Sequence, residues 1–146
     1  MKVAIYQMTV GALRNRYDDA GRRLVDEAAG IVLRGVAENR YVYSGRVKFD
    51  DPMIGEGDAR QHDWAVAMEK AFYATQNDCA ETGRWTGNES TIYSAAERQR
   101  STMVGDIFVY GEDAWVVASC GFKKLPAPVG KALVEGAKPG NAMDDM

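Results

Sequence analysis

Several residue types are scarce in this chain of 146 residues, and each scarcity removes a class of protein. The two cysteines, Cys79 and Cys120, cannot build a disulfide framework, and no Cys-x-x-Cys motif is present. No window approaches the ~18 consecutive apolar residues that a membrane-spanning helix needs. The N-terminal stretch Met1–Met8 alternates and then runs to Arg14 and Arg16, without the uninterrupted apolar segment of a signal peptide. The expectation is therefore a cytoplasmic protein with free thiols, in which the sequon Asn88-Glu89-Ser90 is a chance match. Charge of one sign is lacking too: 18 Lys+Arg against 21 Asp+Glu leave a net −3. That balance excludes both a polycationic coat for nucleic acid and the acidic surface of a DNA mimic.

The composition that remains, 46% hydrophobic and 27% charged, is that of an ordinary globular domain. A chain of this length buries roughly two-thirds of its unfolded surface, enough for a core without metal or disulfide. The reading is one α+β domain over 1–135, with 136–146 a flexible C-terminal tail.

Hydrophobic periodicity supplies the elements. Val3 and Ile5 alternate with Ala4, Tyr6 and Met8 in an N-terminal strand over 2–9. Asp18 and Asp19 can cap a helix over 19–38, whose inward stripe is Leu24, Val25, Ala28, Ile31, Val32 and Gly35. Residues 41–49 are rich in aromatic and β-branched side chains and predict a second strand. A surface loop follows over 52–63, and then a helix over 63–76 with the stripe Trp64, Met68, Ala71, Phe72 and Thr75. A long connection covers 77–90, and a short helix is predicted across Thr91–Gln99. The strongest local signal is a hairpin: Ile107–Tyr110 and Ala114–Ala118 flank the turn Gly111-Glu112-Asp113. A short helix near Val129–Glu135 is the last element. The predicted architecture is a small, mainly antiparallel sheet packed against the two main helices.

No motif fixes a reaction. His62 is the only histidine, and nothing in the sequence brings a thiol near it. No Gly-x-Ser-x-Gly nucleophile elbow exists either. Asp50, Asp51, Glu56, Asp58 and Asp63 form an acidic loop without the spacing of a calcium site, so it reads as solvated, with Glu56 and Asp58 the residues of choice for a metal. Gly55-Glu56-Gly57 lacks the lysine of a phosphate loop and carries a charge that repels phosphate. No catalytic residue, metal or cofactor is expected.

The first third of the chain is mildly basic, through Arg14, Arg16, Arg22, Arg23, Arg34, Arg40, Arg46 and Lys48. Arg22, Arg23, Arg40, Tyr43 and Trp85 are the candidate binding residues, since exposed aromatic rings stack bases at ~1–3 kcal/mol each. Against this, a sequence pI near 5.2 lacks the basic footprint usual for nucleic-acid binders.

The stretch Arg100-Ser101-Thr102-Met103-Val104-Gly105-Asp106 and the later Gly121-Phe122 resemble the small YodL-like domains of phages, plasmids and conjugative elements. The likeness covers mainly residues 98–125 and extends to Arg40–Gly45 and to the helix before Gln76. The helix at 18–38 looks like an insertion. The resemblance implies an accessory domain of a mobile element, with no catalytic residue to carry over. The motif residues Arg100, Ser101, Gly105, Asp106, Gly121 and Phe122 read as structural. Gly105 permits a positive φ, Asp106 can accept backbone amides, and Gly121 lets Phe122 fold back on the hairpin. The expected function is a non-enzymatic accessory protein that binds a host or mobile-element protein. A nucleic-acid-binding module using the basic first third is the alternative, and a metal-dependent enzyme the next.

Overall fold

The computed structural model describes residues 2–9, 28–48, 53–54, 61–62, 64–77, 84–85, 92–118 and 121–142. It is an α+β protein. Strands β1 (Lys2–Met8), β2 (Tyr41–Lys48), β5 (Ile92–Ser94), β6 (Ile107–Tyr110), β7 (Asp113–Val117) and β8 (Phe122–Lys124) form one antiparallel sheet in the order β5-β2-β1-β6-β7-β8. β9 (Lys138–Pro139) adds to the sheet beside β2, in parallel. β3 (Met53–Ile54) and β4 (Gln61–His62) pair separately. The helices are α1 (Ala28–Ala37), α2 (Trp64–Ala74) and α3 (Ala127–Gly136).

The sheet is covered on both faces, which explains why β1 is buried on both. Tyr6 and Met8 join Ile107, Val109, Ala114 and Val116 beneath Val36 of α1 and Val129 and Leu133 of α3. Val3 and Ile5 join Phe108, Trp115 and Val117 against Ala67, Met68 and Ala71 of α2. The alternation read from residues 3–8 thus sorts side chains between two cores rather than between core and solvent.

α1 ends where Asn39 takes a left-handed φ of 58° and the Arg40 amide returns to the Gly35 carbonyl. Residues 19–27 of the predicted first helix lie outside the described residues. In α2 the predicted stripe is buried at Met68, Ala71 and Thr75, and Phe72 is half-buried.

Two sequence expectations are corrected. The short helix across 91–99 is instead β5 followed by bends, because Ile92, Tyr93 and Ser94 pair with Val47, Arg46 and Gly45 of β2. Ladder bonds to a waiting strand outweigh the helical preference of the Ala-Ala-Glu-Arg run behind it. The segment from 136, expected to fray, is placed on the sheet as far as 142. Lys138 and Pro139 pair with β2, Gly140 donates to the Tyr43 carbonyl, and Ala142 is buried.

The ladder between β1 and β2 carries one irregularity. Its register shifts between Ile5 and Tyr6, which face Gly45 and Tyr43, so Ser44 is an extra residue on β2. Gly45 has a φ of 152°, and a Cβ there would strike the Tyr93 carbonyl. The bulge lets Tyr41 and Tyr43 share a face with Arg46 and Lys48. It also turns the Ser44 hydroxyl onto the Gln7 side-chain oxygen, at 2.8 Å.

Candidate functional site

The segment singled out by the resemblance forms a buried polar junction. Arg100 makes a bidentate pair with Asp106, Nη1 to Oδ2 and Nη2 to Oδ1 both at 2.7 Å. Nη2 also donates to the Met8 carbonyl at 2.7 Å, and Nη1 to the Ser101 carbonyl at 3.0 Å. Asp106 accepts the amides of Met8 at 3.0 Å and Met103 at 2.8 Å. The Arg100 carbonyl in turn receives Gln7 Nε2 and Trp85 Nε1, each at 2.9 Å. Next to it, the Ser101 hydroxyl accepts the Asn77 amide, and the Thr102 hydroxyl meets Thr75 and Gln76 at the end of α2. Gly105 has a φ of 96° and Gly121 one of 79°, conformations that glycine adopts without strain. These bonds tie the 99–106 loop to β1, to Trp85, to residues 75–77 just past α2 and to itself. The junction is a clamp, with its charged atoms turned inward.

The surface built on this clamp is more open. Val104 and Phe122, placed by the two glycines, form one wall of a groove of about 590 Å³, with Met68, Phe72 and Tyr73 of α2 as the other wall. Trp115 and Val117 line its floor. Its aromatic rings form a ladder: Tyr73 to Phe72 at 6.2 Å, Phe72 to Phe122 at 6.4 Å, and Phe122 to Phe108 at 5.7 Å. Tyr73 is 64% exposed, the largest exposure of a big apolar side chain among the described residues. Among the described residues, Glu69 is the one charged side chain in the lining. A groove of this size, apolar with a single charge, suits an apolar group carrying a cation.

The sequence-predicted binding residues do not converge. Arg22 and Arg23 lie outside the described residues, as do Glu56, Asp58, Cys79 and Cys120. Arg40, just past the end of α1, is ion-paired to Glu38 at 2.6 Å. Trp85, expected to be exposed, is 8% exposed and belongs to the α2-side core, because its indole N–H is satisfied by the Arg100 carbonyl. Tyr41 is likewise buried. Tyr43 is half-buried, its ring 5.5 Å from that of Tyr6. Burial pushes the Tyr6 phenol up to about 12, and the nearby Tyr43 adds to the effect. Burial also raises Tyr43, against the opposing pull of Arg46. His62 sits in β4, outside the main sheet. Among the described residues no cluster of three or more His, Cys, Asp or Glu is arranged for a metal, and no helix is long and apolar enough to cross a membrane.

What sequence reasoning missed is the groove and the pair Arg46–Tyr93. The groove left one signal: Tyr73 sits beside the buried stripe of α2, on the flank a lone helix gives to solvent. Comparisons with protein families, with curated proteins and with solved structures return no match.

Proposed function

We propose that this chain is a non-enzymatic binding protein whose groove between α2 and β8 docks an apolar segment of another protein. In line with the resemblance of residues 98–125, the partner is a host or mobile-element protein and the chain an accessory protein of a phage or other mobile element. The observation that carries the reading is the exposed Tyr73 beside the half-buried ladder of Phe72 and Phe122. Tyrosine set at the rim of an apolar pocket is a common anchor of protein interfaces, because it buries area at little entropic cost. Glu69 in the lining selects a segment that brings a lysine or arginine alongside its apolar residues.

The test is site-specific photo-crosslinking in the natural host, with benzoylphenylalanine in place of Tyr73 and, as control, of Val134, which is exposed on α3. After nuclease treatment, one protein crosslinked at 73 and not at 134 supports the reading, provided Glu69→Lys abolishes that crosslink. Equal labelling at both positions, or labelling that disappears with nuclease, overturns it.

A further inference from the structure

Among the described residues, the face of the sheet covered by α1 and α3 is not covered completely. The helices cap β6, β7 and the Tyr6–Met8 half of β1, and Ala4 and Tyr43 lie at the margin of that core. Beyond the margin, the register sets Lys2 opposite Lys48, Ala4 opposite Arg46, and Arg46 opposite Tyr93. Residues directly opposite in a ladder share a face, so Lys2, Arg46, Lys48, Tyr43 and Tyr93 form one continuous patch. Lys2, Arg46, Lys48 and Tyr93 are exposed, Tyr93 at 47%. The Arg46 guanidinium lies 5.0 Å from the centre of the Tyr93 ring, and its charge acts on the Tyr43 phenol. The sequences of β1, β2 and β5 contain no Asp or Glu.

We infer that this corner of the sheet, Lys2, Arg46 and Lys48 around Tyr43 and Tyr93, is a binding site for single-stranded nucleic acid. Two lysines directly opposite one another destabilise a ladder. A phosphate between them removes that repulsion. An arginine already stacked on a tyrosine presents a flat, cationic platform, and bases stack on such platforms whatever their sequence. The patch lies on an open ladder of strands, where splayed bases have access and a duplex, with its bases stacked inside, does not. The site is on the opposite face of the sheet from the α2–β8 groove, so the two readings stand or fall separately.

The test uses the full chain and fluorescence anisotropy with labelled oligodeoxythymidine, oligouridine and a duplex of equal length. The expected result is binding of one or both single strands in preference to duplex. Their relative affinities assign the site to DNA or RNA. With roughly three phosphate contacts, log K should fall with log salt at a slope of about −2. Tyr93→Ala should weaken binding by about tenfold or more. Lys48→Gln should shallow the salt slope by about 0.7. Lys70→Gln, on α2 across the sheet, should leave binding as it is. A wild-type chain that binds no single strand at low salt overturns the proposal. So does duplex binding of equal strength, or a loss on Lys70→Gln as large as that on Lys48→Gln. Thermal melting of Tyr93→Ala unchanged from wild type separates a lost platform from a lost fold.

Discussion

Arg100 and Arg46 both reach out from the margins of the same sheet, and the structure treats them in opposite ways. The Arg100 side chain is 10% exposed and its Asp106 partner 0%. Four hydrogen bonds from its two terminal nitrogens go to Asp106, Met8 and Ser101, and only Nε is left without one. Arg46 is exposed and keeps its charge at the surface, over the face of Tyr93. A buried guanidinium must satisfy its donors internally or carry a large desolvation cost. An exposed one is free to meet a partner from outside. The residue type alone therefore says nothing about role. A count of arginines along the chain mixes both kinds, and the distinction rests on which carboxylate or carbonyl the fold delivers.

The contrast between the two arginines breaks most forcefully at Arg100. Arg100→Met leaves Asp106 buried without its counter-charge and should cost ~3–5 kcal/mol, read as a lower urea midpoint at unchanged m-value. If the cost is under ~1 kcal/mol, the junction is not the clamp described. Next in size is Gly45→Ala. A Cβ at this bulge meets the Tyr93 carbonyl, and displacing β5 should cost roughly 3 kcal/mol. It should also separate Tyr93 from Arg46, so an unchanged melting temperature would mean that the bulge does not hold the corner together.

Alkaline pH should act on the core beneath Arg46. Tyr6 keeps its proton up to about 12 in the folded state, whereas the unfolded phenol ionises near 10.0. Between those values the folded chain binds a proton that the unfolded chain has released. Stability is therefore fully present below about pH 10 and falls as pH rises toward about 12, by about 1.4 kcal/mol per unit. Tyr6→Phe should flatten this part of the profile, and urea titrations at about pH 9 and about pH 11 measure it. The smallest effect belongs to Arg46→Gln, whose exposed side chain should change stability by about 0.5–1 kcal/mol at most. A cost near that of Arg100→Met would erase the contrast between the two arginines.

Much of the fold was legible locally. Ile107–Tyr110 and Ala114–Ala118 announced a hairpin because both runs are rich in β-branched and aromatic residues and a glycine turn separates them. The turn proved tighter than read, since Asp113 already pairs with Tyr110. The α2 stripe at Met68, Ala71 and Thr75 was equally plain from spacing. Tyr93 was not legible, since its neighbours Ala95 to Gln99 favour a helix and only the free edge of β2 makes them a strand's flank. Trp85 misled in the other direction. A lone tryptophan among Asn, Gly and Thr reads as exposed, and its burial depends on a carbonyl at Arg100, fifteen residues on.

By itself the sequence determined β1, β2, the β6–β7 hairpin, α2 and the turn glycines of the segment from Arg100 to Phe122. These follow from periodicity and turn glycines, which act over short range. The tertiary structure alone decided that α2 and β8 stand apart far enough to leave an apolar groove. It also decided that the cations of β1 and β2 meet Tyr93 on one exposed corner. Those outcomes depend on strand order, on the Ser44 bulge and on which helix covers which face. Each is a relation between residues distant in the chain, and no local pattern of charge or hydropathy encodes it.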